Sequence, residues 1–98
     1  MKGTSVPTKS NATSRIRDFV IQTFPLARKR NVTGSTDLLE SGVIDSMGVL
    51  DLVGFLQQEF AITVEDDDLT PENFRSIDSM AEFLLRMLEA QHRSVASA

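Results

Sequence analysis

The run Asp45-Ser46-Met47-Gly48-Val49-Leu50-Asp51-Leu52-Val53-Gly54-Phe55-Leu56-Gln57-Gln58-Glu59-Phe60 sets Val49, Leu52, Val53, Leu56 and Phe60 at i, i+3, i+4, i+7 and i+11. That is the period of one apolar face on an α-helix. Asp45 stands where its carboxylate can accept from the free N–H groups of the first turn. Met47, Leu50 and Phe55 widen the apolar surface beyond what a single stripe needs. Gly48 and Gly54 each cost about 1 kcal/mol against Ala in a helix interior. Both read as lying off the core stripe, on a solvent-side face kept small.

The flanking segments follow the same period. Upstream, Ile16, Phe19, Val20 and Thr23/Phe24 form one stripe. It predicts a helix that starts near Thr13 or Ser14 and stops before Pro25, which disfavours helical geometry at Phe24. About twenty residues from Pro25 to Asp45 show no clear period. A loop that long is uncommon in a compact domain and points to function. Leu26, Val32, Leu38, Leu39, Val43 and Ile44 are expected to pin it to the core. Its basic cluster Arg28, Lys29, Arg30 reads as a solvated surface, since no aromatic or glycine-rich partner accompanies it. Downstream, Ile62, Val64 and Leu69 should anchor an acidic run, Glu65 to Asp68. That run lacks the glycine of a calcium loop, so no metal site is expected. Thr70-Pro71-Glu72 is a helix start, with a cap and Pro at the first position. It opens a third helix of about a turn and a half, with Phe74 inward. Ser76 then caps a fourth helix carrying Ile77, Met80, Ala81, Leu84 and Leu88.

These readings predict an all-α fold: a small bundle of three main helices plus one short helix, with a long loop between helices one and two. Residues 1–12 read as a flexible leader, 13–91 as the folded domain, and 92–98 as a flexible tail with His92 on the surface. The 98 residues hold one domain, no Cys, no Trp and one His. Disulfides, thiolate metal sites and any site needing two imidazoles are therefore excluded. No apolar run is long enough to span a membrane and no signal-type segment opens the chain, so a cytoplasmic monomer is expected.

The formal charge of −4 hides a division along the chain. Residues 1–36 carry seven Lys/Arg and one Asp, whereas residues 37–82 carry twelve Asp/Glu and only Arg75. An acidic centre disfavours nucleic acid and suits a partner with a basic docking surface. Catalysis by the chain alone finds little support. No Walker loop, GxSxG elbow or HExxH is present, and Asp45 beside Ser46 offers a weak base without an oxyanion hole.

Within Leu38-Leu39-Glu40-Ser41-Gly42-Val43-Ile44-Asp45-Ser46-Met47-Gly48, the Asp-Ser-Met triplet at a helix start resembles the signature of the acyl carrier protein family. The triplet is short. Its context, from about Ile16 to Leu88, adds the family's helix lengths, long first loop and short third helix. The resemblance implies that Ser46 carries 4′-phosphopantetheine through a phosphodiester, attached by a phosphopantetheinyl transferase that uses coenzyme A. The residues support that position independently. A hydroxyl at a first helical turn is exposed, the helix N-terminus favours an anion, and a prosthetic thiol needs no Cys from the chain.

Carriers of fatty acid synthesis usually place an acidic residue two after the modified Ser and a Gly three before it. Here those positions are Gly48 and Val43, and along the helix only Asp51 and Glu59 keep a charge. The Gly-Gly-x-Ser core usual in peptide-synthetase carriers is also missing. The string from Gly42 to Gly48 looks more like D-alanyl carriers and related stand-alone carriers loaded by AMP-forming ligases. The expected function is thus a discrete carrier of an acyl or aminoacyl group held as a thioester, not an enzyme. It is served by a transferase, an activating ligase and a downstream acyl-transfer enzyme. Asp45, Met47, Gly48, Leu50, Asp51 and Gly54 are expected to form the partner surface. The alternatives are a carrier of fatty-acid or polyketide type and, from another class, an unmodified acidic helical interaction module. Five phenylalanines (Phe19, Phe55, Phe60, Phe74, Phe83) are read as filling one small core, with Phe55 beside the core stripe of its helix and partly exposed, which favours a small or polar cargo held outside it.

Overall fold

The computed structural model describes the backbone of residues 8–97 and the side chains of residues 8–91. The chain forms α1 (Lys9–Thr23), α2 (Pro25–Lys29), α3 (Ser46–Phe60), a 3₁₀ turn (Asp66–Asp68), α4 (Pro71–Phe74) and α5 (Ile77–Ser97). No strand occurs among the described residues. The three long helices and short α4 are those expected, and α2 is an addition.

α1 begins a full turn before Thr13. The Thr8 hydroxyl caps it by accepting from the Asn11 N–H at 3.1 Å, and Ala12 is completely buried. Ala12, Ile16 and Val20 form an i, i+4, i+8 row. A methyl is weakly apolar, so the row's first member was not legible as part of the stripe. Of the leader expected over residues 1–12, residues 8–12 therefore belong to α1 and its cap, and residues 1–7 lie outside the described residues. At the other end α5 continues to Ser97 through the stretch expected to be a tail. The side chain of His92 lies outside the described residues.

Pro25 both ends one helix and starts the next. It holds Phe24 extended, at φ −114° and ψ 106°, which stops α1, and then occupies the first position of α2. A preset φ suits that position, and the missing N–H is no loss there. α2 buries Ala27, while Leu26, expected as an anchor, is exposed. The rest of the long loop is tied down. Val32, Leu38, Val43 and Ile44 are buried. The Leu38 N–H donates to the Arg75 carbonyl at 2.6 Å, and the Asp78 N–H to the Gly34 carbonyl at 3.0 Å. The Arg30 guanidinium holds the Ser41 carbonyl.

Leu52, Leu56 and Phe60 of α3 meet Ile16 and Val20 of α1 and Ile77, Met80, Ala81, Phe83 and Leu84 of α5 in one core. The expected caps are in place: Thr70 accepts from the Asn73 N–H, and Ser76 from the Ser79 N–H at 3.0 Å. The acidic run closes on itself as the 3₁₀ turn, with the Glu65 N–H donating to Asp68 at 3.0 Å. No group of three or more His, Asp or Glu among the described residues is placed to hold a metal. None of the described helices is long and apolar enough to cross a membrane.

The phenylalanines do not share one core. Phe74 and Phe83 pair at 5.6 Å inside it. Phe19 and Phe55 are half-buried and stack at 4.2 Å on the outer seam between α1 and α3. Phe55 lies about 180° around α3 from Ser46, at 100° per residue, and so faces α1.

Candidate functional site

Ser46 is the first residue of the 15-residue α3 and is exposed. What fixes it is the segment just upstream. The Ile44 N–H donates to the Leu38 carbonyl at 3.0 Å, and Val43 and Ile44 are buried, so the chain enters α3 along a set path. Asp45 is extended, and its carboxylate accepts from the Gly48 N–H at 2.9 Å. It is thus a helix cap.

The hydroxyl opens onto an apolar groove of about 310 Å³ lined by Leu39, Ser46, Val49, Leu50, Leu69, Thr70, Pro71 and Phe74. Leu39 comes from the loop, Ser46, Val49 and Leu50 from α3, and the rest from the approach to α4 and from α4 itself. Leu69 was expected to anchor the core. It is instead 38% exposed and forms one wall of this groove. Its position between an acidic run and Thr70-Pro71 gave no periodic signal separating a core residue from a groove residue.

The expected partner surface divides. Met47, Leu50, Asp51 and Gly54 stand at i, i+3, i+4 and i+7 and share an exposed face that begins one residue after Ser46. Met47 is 70% and Leu50 56% exposed, and Asp45 is exposed at the helix start. Gly48 does not belong to that face. It is buried, and a Cβ there would lie 2.7 Å from Ile44 Cγ2 and 2.9 Å from Phe24 Cε1. Four residues before Leu52, it sits only about 40° from it around the helix, at the edge of the core stripe. It is small because the loop and the α1–α2 junction press against it.

Ser46 thus presents an exposed side chain at a helix start, at the edge of an apolar groove. Residues 14–84 match the family model described as a phosphopantetheine attachment site, and the chain belongs to that family. It is a carrier, not a catalyst, and its cofactor is covalently attached 4′-phosphopantetheine. The chain is 28% identical over 74 residues to a probable acyl carrier protein, PigG, of Serratia sp., covering 76% of this chain and 85% of that one. It is also 28% identical over 88 residues to aminoacyl carrier protein 2 of Bradyrhizobium diazoefficiens, covering 90% and 94%. The solved structure of apo KstB-PCP superposes with a TM-score of 0.64 at 34% identity, over 81% of this chain and 88% of that one.

The residues at the start of α3 fit the prosthetic group. Ser46 offers an accessible oxygen, and the positive end of α3 favours a phosphodiester anion by about 0.3–1 kcal/mol at an exposed site. The groove provides an apolar bed beside it. As a carrier of this family the protein is handled by phosphopantetheinyl transferases and by acyl- or aminoacyl-processing enzymes.

Proposed function

We propose that Ser46 is the attachment residue and that the chain is a discrete carrier for an aminoacyl or short acyl group, charged by an AMP-forming ligase. The carrying observation is the exposed Ser46 hydroxyl at the first position of α3, at the mouth of the groove. When bound, 4′-phosphopantetheine supplies a thiol on a flexible arm, where cargo is held as a thioester.

The chain's own residues have three tasks. Asp45 holds the first turn of α3 in shape, so that the hydroxyl stays at the surface. The Leu39, Leu50, Leu69 and Phe74 side chains border the bed on which an arm rests. Met47, Leu50, Asp51 and Gly54 present the face that the transferase, the ligase and a downstream acyl-transfer enzyme would share. The aminoacyl reading draws on the Gly42–Gly48 string and on likeness to a protein named an aminoacyl carrier.

The test is intact mass after incubation with coenzyme A, Mg²⁺ and a promiscuous transferase. Wild type is expected to gain one phosphopantetheinyl mass, and Ser46→Ala none while keeping its helical signal. Modification of the Ala variant would move the attachment elsewhere. Charging of the loaded protein with ATP and either amino or fatty acids then separates the cargo classes.

A further inference from the structure

The basic triplet Arg28-Lys29-Arg30 is exposed throughout, yet the structure separates its last member from the other two. Pro25 opens α2, and Arg30 is its C-cap, with the Arg30 N–H donating to the Leu26 carbonyl at 2.9 Å. The Arg30 guanidinium lies against the loop ahead of α3 and donates to the Ser41 carbonyl.

That bond falls on the least anchored stretch of the loop. Residues 37–44 fold back on themselves. The Ser41 N–H donates to the Asp37 carbonyl at 3.1 Å, the Gly42 N–H to the Leu39 carbonyl at 3.2 Å and the Ile44 N–H to the Leu38 carbonyl at 3.0 Å. The entry is bonded to Arg75 through the Leu38 N–H, and the exit is sunk in the core through Val43 and Ile44. The corner between them, Glu40-Ser41-Gly42, buries no side chain. Gly42 turns it with φ at +80°, and a Cβ there would meet nothing within 4 Å. Among the described residues, the bond from Arg30 is the one hydrogen bond that ties this corner to another element.

We infer that Arg30 is a positioning residue for loading: by holding the Ser41 carbonyl it fixes the corner, and through it the path that aims Ser46 at a transferase. This rests on attachment at Ser46. In that step the Ser46 oxygen bonds the pantetheine-side phosphorus of coenzyme A and the pyrophosphate bond breaks. The adenosine bisphosphate leaves with the electron pair, and the serine proton passes to the transferase or to water. Arg30 takes no part in the exchange. Without its bond the corner samples other turns, and only a fraction of molecules present Ser46 correctly. A transferase that engages that fraction finds its affinity for the carrier reduced in proportion. KM therefore rises while kcat holds, because every bound carrier is correctly aimed.

The experiment measures transfer from coenzyme A to the full chain over a range of carrier concentrations, and records amide nitrogen–proton spectra of each unmodified variant. Arg30→Ala is expected to raise KM for the carrier about three- to tenfold, the span of one net hydrogen bond, without a matching fall in kcat. The same ratio is expected at low salt and at 1 M salt, where the screening length is only about 3 Å. Arg30→Lys, which keeps a donor, is expected to recover most of the loss. In the spectra, Arg30→Ala is expected to shift the Ser41, Gly42 and Ser46 amides. Arg28→Ala and Lys29→Ala are expected to leave those amides in place and KM at 1 M salt unchanged. Unmoved amides in Arg30→Ala, a wild-type KM, or a defect that Arg28→Ala shares and 1 M salt removes overturns this inference alone. A wild type that no transferase loads overturns the Ser46 reading with it.

Discussion

Gly48 and Gly54 are chemically identical and sit on the same helix, yet their surroundings give them opposite roles. At Gly54 a Cβ would meet nothing within 4 Å. Gly54→Ala is therefore expected to stabilise the fold by up to about 1 kcal/mol through helix propensity and a less flexible unfolded chain. Any loss of partner activity in that variant is steric. At Gly48 the same methyl lands on the buried Ile44 and on the Phe24 ring, where overpacking costs roughly 1–3 kcal/mol. That exceeds the propensity gain, so Gly48→Ala is expected to lower the melting temperature by about 4–8 °C for each net kcal/mol. Thermal unfolding of the two variants side by side reads both signs. Equal shifts would mean that the close approach at Gly48 is not there. The sequence fell short here for a physical reason: periodicity on one helix cannot report that another segment has moved in against its edge.

Among the elements, α3 carries both the core and the presented face, and one substitution can address each. Removing the cap with Asp45→Ala leaves the Gly48 N–H without its partner and is expected to cost about 1 kcal/mol. Asp51 is exposed, so Asp51→Lys is expected to leave the melting temperature nearly unchanged. It is expected to slow loading by the transferase and flatten its salt dependence, because the charge steers encounter and does not support the fold. A wild-type loading rate at low salt would remove Asp51 from the partner face. The strongly periodic helices were readable from spacing alone, as were the caps at Asp45, Thr70 and Ser76. α2 was not, because five residues carry too little period. Its one clue was the proline, which was read only as a stop. The groove at Ser46 was equally hidden, since it is made by Leu39, Leu69 and Phe74 from three separate segments.

At the scale of the molecule, the arrangement of aromatic rings bears on what the carrier can hold. Phe74 and Phe83 fill the centre, against Leu84 and Met80 in the same buried cluster, and a long acyl chain entering there must displace them. A ligand gripped by the native state raises its apparent stability. Protein loaded with a long acyl chain is therefore expected to melt within a degree or two of protein loaded with a short one, at ~4–8 °C per kcal/mol. A clear rise for the long chain alone would assign the protein to fatty-acyl cargo. The charge division acts at this scale too. The strongly acidic stretch runs from Asp37 to Glu82, and α3 lies wholly within it, so a basic partner is drawn to the presented face from a distance set by the ionic strength.

The loop ahead of α3 sets a limit for protein engineers. Gly34 lies so close to the Asp78 carboxylate that a Cβ would come within 2.5 Å of it, and the Gly34 and Arg75 carbonyls are each bonded across the gap between loop and α5. The serine's bearing is thus fixed in part by Arg75 and Asp78, which lie far along the chain and bond back to the loop. A chimera that grafts only α3 and its serine into another carrier would bring the recognition face without the jig that aims it. Transplants are expected to keep their partners only when residues 32–45 travel with the beginning of α5 as one cassette.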